Sequence, residues 1–257
     1  MNDVPVPKRF DAVQLGPAPL GLVASLLLFG GAGLLLFVAT RVAIPLLIRT
    51  TGCEGVIAWF AAAGFGVFLP LVIIGWVMLR REGMSDGRRL WSERLRFRRL
   101  TAADLGWTQG DLGCALAGLA IVGLGSAATI GALRWWSPDI RLHPSFLAME
   151  PLGPGRYWIF AVWLPFFAIN ILGEEFLWRG VVLPRQERAL GRHAWAANGA
   201  GWLLFHLPFG PTILVMLVPV VFLIPYLVQR RGNTWIGVAL HAAINGPGFI
   251  AVALGGV

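Results

Sequence analysis

Three short stretches in the second half of the chain set ionisable and amide side chains within runs that are otherwise apolar. The first is Gly173-Glu174-Glu175-Phe176-Leu177-Trp178-Arg179-Gly180. On a helix Glu175 and Arg179 are i,i+4 neighbours and neutralise one another. Glu174 lies about 100° further round the helix and needs a different partner, so one carboxylate is in surplus. The second stretch is Trp202-Leu203-Leu204-Phe205-His206, where a histidine follows an apolar run just before a Leu-Pro-Phe-Gly-Pro break. The third is His241-Ala242-Ala243-Ile244-Asn245, whose spacing puts an imidazole and a carboxamide on one helix face. Singly, each has a structural reading: a self-neutralised pair, a hydrogen-bonded core histidine, a polar contact between helices. Together they form a set suited to hydrolysing an amide. A carboxylate can deprotonate water, an imidazole can hold and orient that water, and the remaining donors can stabilise a tetrahedral oxyanion. A low dielectric would strengthen each effect. The last hundred residues contain no serine or cysteine, which disfavours a covalent nucleophile.

The elements that must position these groups are membrane helices. Hydrophobic residues make up 57% of the 257 and charged residues 13%, against about 45–50% and about 25% in soluble domains. Such a chain has too few charges to cover a soluble exterior, and it is neither disordered, coiled-coil nor disulfide-stapled. A bilayer core of roughly 30 Å needs about 20 apolar residues per helix. The sequence predicts seven spans, with six or eight as alternatives: Leu20 to Val38, Gly55 to Leu79, Leu112 to Leu133, Tyr157 to Gly173, Ala194 to His206, Thr212 to Val228, and Thr234 to about Leu254. The expected fold is therefore an all-α polytopic transmembrane bundle. Residues 1–111 form an N-terminal membrane region of two spans and a basic loop. Residues 112–257 form a helical bundle holding the chemical core at about 157–250. The first apolar run is too long for a signal-peptide h-region, and a retained span is expected.

Net charge is +8, but the basic residues sit in short loops beside apolar runs, which points to orientation and anionic headgroups rather than nucleic acid. Arg80 to Asp111 carries eight arginines against five acids. Placing this loop in the cytoplasm brings Lys8, Arg9, Arg185, Arg188, Arg192, Arg230 and Arg231 to the same side, fifteen of the 21 basic residues. Arg41, Arg49, Arg134, Arg141 and Arg156 fall outside. The loop reads as a topological anchor with an amphipathic interfacial helix carrying Leu90, Trp91, Leu95 and Phe97. Cys53 and Cys114 have no metal or redox spacing and read as small apolar residues. Twenty arginines against one lysine suggest a GC-rich, bacterial source, and hence an inner (cytoplasmic) membrane location with the N-terminus inside.

Glu-Glu-x-x-x-Arg, an aromatic-x-x-x-His and His-x-x-x-Asn, in that order, resemble the CPBP family. It contains type II CAAX prenyl endopeptidases and bacteriocin-processing or immunity proteins, and is also called the ABI family. The resemblance covers roughly Tyr157 to Phe249 and rests on Glu174, Glu175 and Arg179, on Trp202 and His206, and on His241 and Asn245. Trp202 departs from the phenylalanine more common there, and Asn245 stands where members carry Asn or Asp. The resemblance implies a hydrolase, an intramembrane protease with a cavity open to the cytoplasm. Glu174 would be the general base and His206 would help activate the water. His241 and Asn245 would form the oxyanion hole, and Arg179 with Glu175 would hold the geometry. The family is often labelled metalloprotease, and Glu174, His206 and His241 resemble a His₂Glu zinc set. Metal-free, glutamate-dependent chemistry is equally compatible, and Asn245 and Arg179, poor zinc ligands, already have roles without Zn²⁺. No cofactor is therefore firmly expected. The implied partners are the bilayer and a peptide or membrane-protein substrate, prenylated or not.

Other classes can use the same buried cluster. An ion- or proton-coupled transporter would want broken helices in symmetric halves, yet the polar residues here are confined to one half. A non-catalytic immunity or scaffold protein could keep the motifs for stability. A haem or quinone protein would leave the Glu-Glu-Arg set unexplained.

Overall fold

The computed structural model describes residues 17–83, 87, 90–98, 110–144 and 149–255, and every regular element among them is helical. The chain runs through α1 (Leu22–Thr51), α2 (Gly55–Arg81) and α3 (Asp111–Trp136). A long helical run, Trp158–Phe205, follows. It comprises α4 (Trp158–Glu175), a wide π-helical turn (Phe176–Val182), α5 (Leu183–Leu190) and, after a reversal at Gly191, α6 (Ala194–Phe205). The reversal needs φ +57 at Gly191, a left-handed value that glycine adopts without strain. The chain ends with α7 (Pro211–Arg231) and α8 (Thr234–Ala253). Among the described residues six segments are long and apolar enough to cross a membrane. One of them, Trp158–Phe205, contains two of the spans expected from the sequence, so all seven expected spans are helices. The protein is an all-α polytopic bundle and an integral membrane protein.

Two boundaries differ from expectation. α1 does not stop at Val38 but continues past Arg41 to Thr51, because the Arg41 Nη2 reaches the carbonyl of Pro208 at 3.3 Å and is not left bare. The Leu-Pro-Phe-Gly-Pro break behaves as expected: Leu207–Phe209 is a single 3₁₀ turn, and Gly210 at φ +88 redirects the chain into α7.

Arginine-rich helix termini gather at one end. Arg231 and Asn233 both donate to Asp111 at 2.9 Å. The segment following α2 is tied to the same end. Arg94 pairs with Glu82 at 3.0 Å and donates to the Gly180 carbonyl at 3.1 Å. Arg96 grips Glu187 through both oxygens, and Thr234 donates from its hydroxyl to Leu95 O and from its amide to Arg96 O. Leu90 and Leu95 are buried within the protein. The expected amphipathic helix is shorter than read: Leu90–Arg94 is one wide turn, and the segment is a strap whose Leu90 and Leu95 face the protein, against α8 and the Phe176–Val182 turn, while Trp91 stays exposed. Lys8, Arg9 and much of the remaining Arg80–Asp111 loop lie outside the described residues. At the opposite end Arg156 pairs with Glu54 and donates to Glu150 O at 3.3 Å.

Helices meet where side chains are small, as expected when lipid supplies no hydrophobic drive to pair them. A methyl group on Gly199 would lie 2.7 Å from Val221 O, and one on Gly33 would lie 3.2 Å from Leu204 O. α6 is thus held tightly between α1 and α7, and it is α6 that carries Trp202 and His206. α3 packs on α7 and α8 through Gly118 and Gly125 and otherwise faces outward. Cys53 and Cys114 are free and half-buried.

Candidate active site

Glu174 and Glu175 end α4, where the helix widens. In the wide turn the ladder shifts to i→i+5 bonds, and Leu183 N–H donates to Trp178 O. The same carbonyl also accepts from Asn198 Nδ2 of α6 at 3.0 Å, and that amide donates to Gln186 Oε1 at 2.9 Å. Gln186 in turn donates to Ser25 Oγ at 3.0 Å. This buried amide chain fixes the wide turn against α1 and α6, and with it the direction of the two carboxylates.

The carboxylates have different surroundings. Glu175 is fully buried. Its Oε1 lies 3.0 Å from His241 Nδ1 and 3.4 Å from Arg179 Nη1. Its Oε2 has no hydrogen-bond partner among the described residues and faces Gly237, where any Cβ would collide with it. Glu174, 2% exposed, is met by neutral donors. Asn170, one turn earlier on α4, donates to Oε1 at 3.3 Å, and the Trp202 indole N–H donates to Oε2 at 2.5 Å. The surplus carboxylate expected from the sequence thus has partners, but none of them carries a positive charge.

Trp202 sits among the remaining groups. The Arg179 guanidinium lies over its face, 3.7 Å from the ring centre. The His206 and His241 rings meet it edge-on at 5.6 Å and 5.1 Å between centroids. His206 Nδ1 lies 2.8 Å from Trp202 O. A carbonyl only accepts, so Nδ1 carries the proton and Nε2 keeps its lone pair. By the same reasoning the Glu175 carboxylate fixes the proton of His241 on Nδ1, and His241 Nε2 then accepts from Asn245 Nδ2 at 3.1 Å. The structure therefore brings Glu174, Glu175, Arg179, Trp202, His206 and His241 into one buried cluster, with Asn245 at its exposed edge, from four segments of chain. Sequence reading missed Asn170, Gly237 and Asn198. Asn170 had a visible signal, a lone amide one turn before Glu174 in an apolar span. Gly237 and Asn198 had none.

As a zinc set these donors do not converge. Both oxygens of Glu174 accept from Asn170 and Trp202, and both ring nitrogens of His241 are engaged by Glu175 and Asn245. Among the described residues no group of three or more His, Cys, Asp and Glu side chains is placed to hold a metal ion. A cleft of about 360 Å³ opens at the arginine-rich end, lined by Glu93, Arg94, Arg96, Glu187 and Arg188 among others, and none of the cluster residues lines it. His241 lies seven residues into α8, about 10 Å from that end of the helix.

Residues 156–246 match the family model described as "Type II CAAX prenyl endopeptidase Rce1-like". The matched segment contains every motif residue from Glu174 to Asn245, and the resemblance to the CPBP family is borne out over it. The match supports a protease of the CAAX type in a membrane setting, acting on a peptide. No curated protein and no solved structure matches the chain.

Proposed function

We propose that this protein is an intramembrane endopeptidase that cleaves a peptide bond with water activated by Glu174. The observation that carries the reading is the unlike setting of two adjacent carboxylates: Glu175 is committed to Arg179 and His241, whereas Glu174 is held only by neutral donors, one of them the Trp202 indole that both imidazoles meet edge-on. Glu174 takes a proton from a water whose other hydrogen is oriented by the Nε2 lone pair of His206. The resulting hydroxide adds to the carbonyl carbon, and the carbonyl oxygen becomes an oxyanion facing His241 and Asn245. To donate there His241 takes up a proton from solvent on Nε2 and lets go of the Asn245 amide, with Glu175 on Nδ1 as counter-ion to the imidazolium, and it gives that proton back to solvent once the intermediate has collapsed. As the C–N bond breaks, Glu174 returns its proton to the leaving amine, so water has added across the bond. Arg179 balances Glu175 and keeps it on His241. No step requires a metal.

Substrate reaches the site from the arginine-rich end, which we assign to the cytoplasm of a bacterial inner membrane by the positive-inside rule. Secreted peptides, membrane-protein fragments, sigma-factor regulators and prenylated tails are the substrate classes to test. In purified membranes Glu174→Ala, His206→Ala and His241→Ala each abolish cleavage. Full activity in Glu174→Gln would remove the general base. Activity that survives exhaustive chelation and ignores added zinc supports the metal-free route, and loss restored by zinc overturns it. Ion flux in proteoliposomes, undiminished in a hydrolysis-dead variant, would favour the transporter. Comparative peptidomics of membranes holding wild type or Glu174→Gln would identify the substrate.

A further inference from the structure

We infer that Trp202 and Asn170 are positioning residues that divide the two oxygens of Glu174 between a structural and a reactive role, an assignment that rests on the proposed general-base reading. The two hydrogen bonds are unequal. Trp202 Nε1 approaches Oε2 at 2.5 Å, whereas Asn170 Nδ2 stands 3.3 Å from Oε1. A short bond to an ionised acceptor is the strong one, so Oε2 is anchored and Oε1, lightly held, is the oxygen that takes the proton from water. The anchor is itself rigid. Trp202 is 1% exposed, with Arg179 across its face and two imidazoles at its edges, so the indole cannot swing without disturbing the whole cluster.

The origins of the two donors give them different roles in this chain. Asn170 is on the same helix as Glu174, one turn earlier, and moves with it. Trp202 comes from α6, the helix that also carries His206. Its N–H therefore ties the base to the imidazole that orients the water, setting the distance between two groups that belong to different helices. A phenylalanine at this position would keep an aromatic face for Arg179 but could not make the tie. The indole N–H donates only, so it can hold an ionised carboxylate without competing for the proton that the carboxylate must accept.

The test compares wild type, Trp202→Phe, Asn170→Ala and Glu174→Gln, reconstituted in lipid, on a quenched-fluorescent peptide, unmodified and S-farnesylated. Trp202→Phe lowers kcat about a hundredfold, with KM within about twofold of wild type, because the base is displaced and not removed. Asn170→Ala gives a smaller fall in kcat. In parallel, the indole N–H resonances of the twelve tryptophans are recorded on ¹⁵N-tryptophan-labelled protein in micelles. One lies well downfield, disappears in Trp202→Phe and moves upfield in Glu174→Gln, a signature that a purely structural tryptophan would not give. Should Trp202→Phe fail to fold, the Glu174→Gln spectrum and the Asn170→Ala kinetics carry the test. Full activity in Glu174→Gln overturns the general-base reading and this assignment with it. An inactive Glu174→Gln alongside wild-type kcat in Trp202→Phe, or an indole spectrum indifferent to Glu174, overturns this assignment alone.

Discussion

Arg179 and Trp202 are stacked, guanidinium over indole at 3.7 Å, and both are buried. None of the three Arg179 nitrogens has a hydrogen-bond partner among the described residues. The charge is balanced by Glu175 and by the electron-rich ring face, which attracts a cation more strongly when water is excluded. The pair is thus an electrostatic hinge-pin: Glu175 needs Arg179, and Arg179 needs Trp202.

Removing one charge of that set leaves the other stranded. Arg179→Met strands the Glu175 carboxylate and is expected to cost about 3–5 kcal/mol of stability. The double variant Arg179→Met with Glu175→Gln recovers part of that loss, since no uncompensated charge remains. Unfolding of the purified protein in mixed micelles measures both, and additive losses would show that the two side chains are not coupled.

Gly237 admits Glu175 to α8. A Cβ there would collide with Glu175 Oε2 and press on Val228 at 3.2 Å, so Gly237→Ala pushes the carboxylate off His241. Activity falls at least tenfold, a rough expectation for a displaced site group. Gly131→Ala, whose Cβ meets nothing within 4 Å, is the control. It keeps full activity and gains about 0.5–1 kcal/mol of helix stability.

Asn245 contributes one donor to the proposed oxyanion site. Asn245→Ala is expected to lower kcat about 10²–10³-fold while leaving KM close to wild type, because the interaction is made in the transition state and not with bound substrate. A rise in KM at constant kcat would instead place Asn245 in substrate binding.

The strap is held by Arg94, which bridges Glu82 and the Gly180 carbonyl, and by Arg96 on Glu187. Arg94→Ala frees the first anchor. Limited proteolysis then cuts within residues 90–97 faster than in wild type, and amide exchange rises in the Phe176–Val182 turn. Unchanged protection of that turn would show that the strap does not brace it.

The bundle was legible because membrane helices write their lengths in hydropathy, and charges at the ends of apolar runs mark where each helix stops. The motif residues stood out for the same reason: few ionisable groups occur in the last hundred residues, so each one asks for a partner. The widening at Phe176–Val182 was not legible, because the local sequence would serve an ordinary α-helix equally well. The widening is braced by Asn198 and Ser25 from other helices, which join Gln186 in a buried chain ending on Trp178 O, a carbonyl that also keeps the Leu183 N–H. Gly237 looked like any small residue of a membrane helix until Glu175 was seen against it. The burial of Leu90 and Leu95 was likewise hidden, since an apolar pattern in a loop suits lipid or protein contact alike and only Gly180 and Thr234 decide between them.

The wide turn after Glu175 also sets the phase of everything that follows it. An α-helix advances about 100° per residue, and a widened turn lags behind that rotation. Glu174 and Glu175 face α6 and α8 on one side of the widening, while Gly180 and Arg185 on the other are brought to the strap and to Glu82. The turn absorbs about one residue more than a regular helix would hold over the same length, which is how both faces keep their neighbours. A further residue between Phe176 and Val182 would add about 100° of rotation that nothing absorbs, and one of the two faces would then point at the wrong neighbour. In this protein the count of residues across seven positions, and not only their chemistry, is under constraint, so an insertion there is expected to be far less tolerated than a substitution.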